Sequence, residues 1–180
     1  WGMGDIIIKD RTGEGVINDE DRTVIGNSIP RFTFGLNLGF EYKGFDFSCF
    51  FQGVGKADGY VTMEAIQPMG INGARKEHYK ESFNPQDPKP GAYFPRILSS
   101  DYNYAYMSHW VQDASYIRLK NLQIGYSFKI KGLNQLRVYA SGENLFTATK
   151  YRTWDPETPV GARGFYPNVA VYSMGVNLNF

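Results

Sequence analysis

Strict alternation of apolar and polar residues is the sequence feature that most constrains the fold of this chain. Between Arg31 and Lys43 every second residue is apolar: Phe32, Phe34, Leu36, Leu38, Phe40 and Tyr42. Because successive side chains of a β-strand point to opposite faces, one face of this segment is wholly apolar and the other is polar or carries glycine. The pattern predicts a β-strand with one apolar face.

The same alternation recurs along the chain. Lys43-Gly44 predicts a short hairpin turn into a second strand, whose apolar face continues over Phe45, Phe47, Cys49 and Phe51. Three further alternating segments cover 117–128, 136–143 and 172–180. In the first of these, the apolar face changes phase near Asn121, which predicts a β-bulge. Aromatic residues make up 16% of the chain, and 20 glycines accompany them, which also favours strands and turns.

Strand length and connection length favour a membrane barrel over a soluble sandwich. The strands span about 11 to 13 residues, enough to cross a bilayer with tilt, and aromatic residues lie near their ends. Short turns alternate with long segments at about 55–110 and 147–167, as periplasmic turns alternate with extracellular loops. The fold class is therefore all-β, an antiparallel transmembrane β-barrel segment in the outer membrane of a Gram-negative bacterium. Residues 1–30 are expected at the extracellular surface and the C-terminus in the periplasm.

About five strands cannot close a barrel, and bare strand edges are not tolerated in lipid. The residues 31–180 are therefore predicted to be the C-terminal strands of a larger barrel.

Charge and composition exclude several function classes. Nineteen basic and 18 acidic residues give a net charge of +1, so nothing favours nucleic-acid binding. A single cysteine, Cys49, and two histidines, His78 and His109, supply neither a multi-cysteine zinc site nor a recognisable nucleophilic arrangement. No run of about 18 apolar residues could form a transmembrane helix. We expect no enzymatic activity and no required cofactor, and a packing role for His109.

Several segments, taken in order, carry a family resemblance. They are Thr23–Phe47, FFQG at Phe50–Gly53, WVQDASYIRLKNLQIGYSF at Trp110–Phe128, RVYASGENLFTATKY at Arg137–Tyr151, WDPE at Trp154–Glu157, and the terminal Phe180. Together they resemble the C-terminal end of the SusC/RagA-type TonB-linked outer-membrane proteins of Bacteroidetes.

The resemblance implies a large plugged barrel, comparable to the 22-stranded transporters, that imports glycan or peptide nutrients. It implies a SusD-like surface lipoprotein as partner, and coupling to the TonB complex through an N-terminal part that this sequence does not contain. Phe180 resembles the signal read by the barrel-assembly machinery, and outer-membrane lipid would surround the apolar face.

Residues Asp10–Asp21 resemble a twelve-position calcium loop, in which oxygen ligands at alternate positions surround a hard cation. Gly15 stands where such a loop turns sharply. The fit is imperfect, because Asp21 replaces a bidentate glutamate, and a solvated glycine turn is the alternative. The candidate ligands of this structural calcium ion are Asp10, Thr12, Glu14, the carbonyl of Val16, Asn18 and Asp21.

Two further groups are candidate functional residues. The polar phase of the strands would face the lumen, where it contacts the plug or lines the substrate route: Glu41, Asp46, Arg118, Lys120, Arg137 and Glu143. Loop aromatics could stack on sugars or hold peptides, or could pack a surface loop or contact a partner. These substrate-contact candidates are Tyr93, Tyr102, Tyr104, Tyr151, Trp154 and Tyr166.

Two other functions fit the same patterns. A secreted, soluble β-sandwich could bind glycan through its aromatics, with calcium at Asp10–Asp21. A passive porin or scaffold barrel could also show this alternation. Detergent dependence separates both barrels from the sandwich, and a plug in the upstream sequence separates the importer from the porin.

Overall fold

A computed structural model describes residues 2–61, 66–68, 73–97, 101–132, 134–152, 155–158 and 166–180. Its main element is a five-stranded antiparallel sheet with strand order β1-β2-β5-β6-β7. These strands are β1 (Phe32–Tyr42), β2 (Phe45–Gly55), β5 (Tyr116–Phe128), β6 (Gln135–Thr149) and β7 (Val171–Asn179). The predicted antiparallel strands are confirmed, and β6 continues well past residue 143.

Smaller elements lie in the long connection between β2 and β5. The strands β3 (Asp58–Tyr60) and β4 (Val111–Asp113) form a two-stranded sheet, and α1 (Lys76–Glu81) is an α-helix. Short 3-10 helices cover Asp101–Tyr104 and Ser108–Trp110 in this connection, and a third covers Asp19–Asp21 before β1. The part of the chain that the structure describes contains no helix long and apolar enough to cross a membrane.

The β1–β2 hairpin is closed by the predicted two-residue turn. Tyr42 pairs with Phe45, and both turn residues have positive φ, 49° for Lys43 and 86° for Gly44. Two consecutive positive φ values define the turn type whose twist matches that of the flanking strands, and glycine adopts the second at no steric cost. The turn thereby fixes which residues of β1 and β2 share a face.

The predicted bulge near Asn121 is confirmed. The pairing of β5 with β6 shifts between Leu119 and Asn121, and its pairing with β2 shifts at the same place. In a regular strand, residues three positions apart point to opposite faces. Because Lys120 is the extra residue of the bulge, Arg118 and Asn121 both lie on the polar face. A β-bulge of this kind re-aims side chains locally, and here it gathers basic residues on one face.

One face of the sheet is apolar across all five strands. Phe40, Phe47, Ile124, Ala140 and Met174 form one cross-strand row. Leu36 in β1 is 49% exposed and Met174 in β7 is 91% exposed, so the described residues leave this face uncovered. A contiguous apolar surface that crosses five strands indicates contact with lipid or with another protein.

The chain divides into two compact units. One unit includes Asn27–Gly59, Gln112–Pro159 and Gly164–Phe180, and holds the five-stranded sheet. The other includes Trp1–Gly26 and Tyr60–Val111, and has its own core. Its largest fully buried side chains are Trp110, Tyr104, Ile66, His78 and Val61.

One sequence prediction, the packing role of His109, falls in this second unit. His109 packs as expected: its ring lies 5.4 Å from that of Tyr93, and its Nε2 lies 2.8 Å from the Tyr93 carbonyl oxygen. Its role in the described structure is therefore to hold loop aromatics together.

Candidate functional site

The polar face of the sheet carries an ion pair that spans three strands. Arg137 in β6 donates to Asp46 in β2, with Nε 2.9 Å from Oδ1 and Nη2 2.5 Å from Oδ2. The strand between them presents Gly125, where an added Cβ would lie 2.5 Å from Asp46 Oδ1 and 2.7 Å from Arg137 Nη2. The absence of a side chain at residue 125 is what allows the two groups to meet.

This geometry gives a testable expectation for Gly125→Ala. The new methyl group must displace the ends of two flexible side chains and so break the ion pair, and we expect a loss of less than about 1 kcal/mol of unfolding free energy. The matched control is Gly39→Ala on β1, where the nearest atom to an added Cβ is 3.4 Å away. Urea unfolding of the full-length protein in detergent measures both variants. Equal stability of the two variants would contradict the role of Gly125.

A second, more buried cluster lies where β5 meets the segment 155–158. The Arg118 side chain is only 3% exposed. Its Nη2 lies 2.8 Å from both carboxylate oxygens of Asp155, and its Nη1 lies 2.9 Å from Glu157 Oε2. Its Nε donates to Thr147 Oγ1 at 2.8 Å. Bonds of this kind between charged groups are the stronger hydrogen bonds of proteins, and the planar guanidinium sets their directions.

Glu157 joins further donors to this cluster. Lys120 Nζ lies 2.8 Å from its carboxylate, and Tyr116 Oη donates to Oε1 at 2.9 Å. Asn168 Nδ2 donates to Oε2 at 2.6 Å. We call Arg118, Lys120, Asp155 and Glu157 the clamp. Its two positive and two negative charges cancel, so it fastens the segment 155–158 to the wall strand without leaving a net charge.

The structure thus places each of the predicted lumen-facing residues. Arg118 and Lys120 belong to the clamp, and Asp46 and Arg137 pair with each other. Glu41 lies directly opposite Asp46 in the register, and Glu143 lies opposite Asn121 and is exposed. Sequence reasoning did not find the pairing of Arg118 with Asp155 and Glu157. The WDPE motif contains both of these acids, but the sequence does not indicate that they bind to β5.

A third polar cluster, which was not predicted, lies in the unit that includes Trp1–Gly26 and Tyr60–Val111, which we call the loop unit. Arg96 makes a bidentate pair with Asp5, with both N–O distances 2.7 Å, and Asn103 Nδ2 donates to the same carboxylate at 3.0 Å. The Asn103 Oδ1 accepts from the Ile6 N–H at 2.9 Å. The Arg96 guanidinium and the Asn103 amide hold the pKa of Asp5 well below its usual range. Local sequence patterns give no signal for partners 91 positions apart.

The predicted substrate-contact aromatics fall into different environments. Tyr104 is 1% exposed in the loop core, and burial raises its pKa to about 12. Tyr93 packs on Phe94, His109 and Trp110, and Tyr102 is half-buried. Tyr151 is half-buried with its ring over Gly59, whereas Tyr166 is 81% exposed. Trp154 lies outside the described residues.

The predicted calcium loop forms a tight turn held by its own backbone. Asp21 accepts from the N–H groups of Arg11 at 2.6 Å and Asn18 at 3.1 Å. Asp10 accepts from the N–H groups of Gly13 at 2.6 Å and Gly15 at 2.7 Å. Within the described ranges, no group of three or more His, Cys, Asp or Glu side chains is arranged to hold a metal ion. Calcium binding by Asp10–Asp21 therefore stays a prediction.

The same loop allows a prediction about pH. The backbone N–H groups of Arg11 and Asn18 lower the pKa of Asp21 from its ordinary value of 3.8, and those of Gly13 and Gly15 lower that of Asp10. Ionised carboxylates therefore stabilise the turn above about pH 4, and this contribution is lost as the pH falls through the lowered pKa values. At neutral pH, Asp21→Asn removes one of these ionised carboxylates and should also destabilise the turn. We expect faster tryptic cleavage after Arg11 and Arg22.

The matched control for this experiment is Glu20→Gln, an exposed neighbour that should leave cleavage unchanged. Cleavage of both variants at the wild-type rate would contradict the role of Asp21. Digestion of the wild type with added calcium, compared with a chelator, tests the calcium prediction: protection by calcium alone would support it.

Basic and aromatic side chains mark both ends of β1. The Lys43 ammonium lies 5.1 Å from the ring centroid of Tyr42, and the Lys56 ammonium lies 5.5 Å from that of Phe32. The 11 residues of β1 extend about 34 Å, or about 26 Å along the normal at a tilt of about 40°. This height agrees with the apolar band of about 25 Å in outer-membrane barrels.

Comparison with other sequences gives related receptors over nearly the whole chain. The TonB-dependent receptor P3 of Formosa agariphila is 34% identical over 201 residues, covering 98% of this chain and 19% of that receptor. The TonB-dependent receptor SusC of Bacteroides thetaiotaomicron is 27% identical over 182 residues, covering 95% and 17%. The chain thus spans about a fifth of the length of these relatives. No family model matches it.

Comparison with solved structures shows the same fold. The structure of the RagAB peptide transporter superposes with a TM-score of 0.72 at 23% identity, covering 92% of this chain and 19% of that chain. The RagAB peptide importer in its closed-closed state gives a TM-score of 0.69 at 24% identity, covering 87% and 18%.

The five-stranded sheet, with one apolar and one polar face, is a segment of an outer-membrane β-barrel wall. The chain belongs to the SusC/RagA-type TonB-dependent receptors of the outer membrane. Its relatives are receptors and transporters rather than enzymes, which confirms the expectation that this is not an enzyme.

Proposed function

We propose that this chain supplies C-terminal wall strands and extracellular loops of a TonB-dependent importer of glycan or peptide nutrients. The observation that carries the proposal is the sheet itself. It has an exposed apolar row across all five strands, and within the described chain its outermost strands β1 and β7 each pair on one side only. Bare strand edges are not tolerated in lipid, so further strands must complete the sheet. A relationship to TonB-dependent receptors supports transport over a passive pore.

The orientation follows from the lengths of the connections. The turns at 43–44 and 129–134 are short and would lie in the periplasm, as would the C-terminus. The segments 56–110 and 150–170 are long and would lie outside the cell, as would 1–30, which is usual for barrels of this class. The clamp lies at the long-loop end of β5, where it would hold one extracellular loop against the barrel wall.

The polar face would contact the plug of the complete receptor. In a second role, the same residues would line the substrate route. The Asp46–Arg137 pair is already satisfied within the wall, which suits a surface that packs against a filled lumen. Tyr166 is the most exposed of the candidate substrate contacts that the structure describes, so it is the aromatic we would assign to substrate.

The partners would be those of the family. A SusD-like lipoprotein would close over the extracellular mouth, and the TonB complex would act through another part of the receptor. Phe180, which directly follows β7 and is exposed, would be read by the barrel-assembly machinery.

Uptake in living cells tests the proposal. We expect that deleting the gene of the full-length receptor abolishes growth on one class of glycan or peptide, and that uptake stops when the TonB complex is absent. A co-purifying surface lipoprotein would support the partnership. Uptake that continues without TonB would instead indicate a passive porin, and extraction of the protein without detergent would indicate a soluble binding module.

A further inference from the structure

Three lysines lie together at the short-turn end of the sheet. Lys43 is in the β1–β2 turn, and Lys129 and Lys131 are in the β5–β6 turn. The two turns are neighbours, because the Ser127 N–H at the end of β5 donates to the Gly44 carbonyl oxygen at 2.7 Å. Neither turn contains an acidic residue. All three lysines are exposed, and we call them the turn lysines.

The turn lysines border the aromatic edge of the apolar face. Tyr42, which holds the Lys43 ammonium over its ring, lies on the apolar phase of β1. The rings of Tyr126 and Phe128 meet edge to face, 4.7 Å apart, just before Lys129. Ile130, between the other two lysines, is exposed. Amphipathic aromatics with snorkelling lysines are typical of the level of the lipid head groups.

The acids at this end of the sheet do not neutralise the turn lysines. Asp46 is occupied by Arg137, and Glu41 lies beside it on the polar face. Within the described residues, no ion pair involves Lys43, Lys129 or Lys131. Each ammonium therefore keeps donors for an external anion, at the height where phosphate oxygens of a bilayer would be found.

We propose that the turn lysines bind the head groups of anionic phospholipids in the membrane leaflet on the short-turn side. This inference rests on the proposed function, because it requires the apolar face to lie in a bilayer. Lysines near an anionic lipid surface each contribute about a fivefold gain in binding. Three neighbouring lysines should therefore retain anionic lipid clearly better than zwitterionic lipid.

The test uses the full-length receptor in nanodiscs of phosphatidylcholine containing a minor fraction of phosphatidylglycerol. Native mass spectrometry counts the phosphatidylglycerol molecules that remain bound after release from the disc. The test variant is K43Q/K129Q/K131Q. The control variant, K76Q/K80Q/K89Q, removes the same charge from exposed lysines of the loop unit. We expect at least about tenfold weaker retention for the test variant and no change for the control.

A second substitution keeps the result decisive. K43R/K129R/K131R preserves the charge and should retain phosphatidylglycerol like the wild type. If the glutamine triple variant does not fold, K129Q alone should show about a fivefold loss of phosphatidylglycerol retention. Equal retention by test and control variants in correctly inserted receptor would overturn this inference and leave the barrel proposal standing. A wild-type receptor that fails to enter nanodiscs would overturn both.

Discussion

Replacing Arg118 by methionine is expected to release the segment 155–158 from the barrel wall. The substitution removes the four hydrogen bonds of the guanidinium and leaves Asp155 and Glu157 facing each other, with Lys120 as the remaining cation of the clamp. Removing one partner of a buried ion pair costs about 3–5 kcal/mol, because the charges left behind are poorly solvated. Local opening of the loop should therefore become about a hundredfold more frequent, or more.

Limited proteolysis measures this opening. Trypsin cleaves after Lys150 and Arg152, which precede the clamped segment, and cleavage of a native protein tracks the population of the open form. The control is Lys120→Met, because Lys120 is more exposed than Arg118 and contacts only Glu157 within the clamp. Its loss should raise cleavage by less than about tenfold. A loop that stays protected in Arg118→Met would show that other contacts hold it.

Replacing Leu36 by arginine is expected to be the most damaging change on the apolar face. Leu36 lies near the middle of β1, on the phase that faces lipid in the proposed barrel. Arginine at the bilayer midplane costs about 2–4 kcal/mol in transmembrane barrels. Unfolding of the full-length receptor by denaturant, in lipid rather than in detergent alone, measures the cost.

Asn37→Arg provides the matched control for this experiment. It introduces the same side chain at the adjacent residue, which points to the polar face, and we expect a cost below about 1 kcal/mol. Similar destabilisation by both arginines would mean that the two faces of β1 share one environment. The assignment of the even positions to lipid would then be wrong.

The sheet could be predicted from the sequence because its causes are local. Alternation identifies a strand and its faces, Lys43-Gly44 specifies the hairpin turn, and a phase change near Asn121 marks the bulge. Each of these signals lies within a few residues of the structure that it produces. The extension of β6 to Thr149 was missed because its alternation is broken around Asn144, where φ is 52°.

The polar clusters could be predicted only in part, because they join distant segments. The phase of β5 placed Arg118 on the polar face, but nothing in the sequence linked it to Asp155 or Glu157. The same is true of Asp5 and Arg96 in the loop unit. The loop tyrosines show a related limit: a tyrosine in a polar loop is compatible with burial, as for Tyr104, or with exposure, as for Tyr166, until the packing around it is known.

The glycines of the polar face also determine how much room the wall leaves. Gly125 lies beneath the Asp46–Arg137 pair, and Gly175 lies beneath the ring of Tyr139, where an added Cβ would be 2.4 Å from ring atoms. Long side chains can therefore lie flat along the strands instead of standing upright from them. In the proposed barrel, where this face would line the lumen, side chains that lie flat would leave more of the bore open than side chains that stand upright. The width available to a plug or a passing solute would then depend partly on two residues that have no side chain.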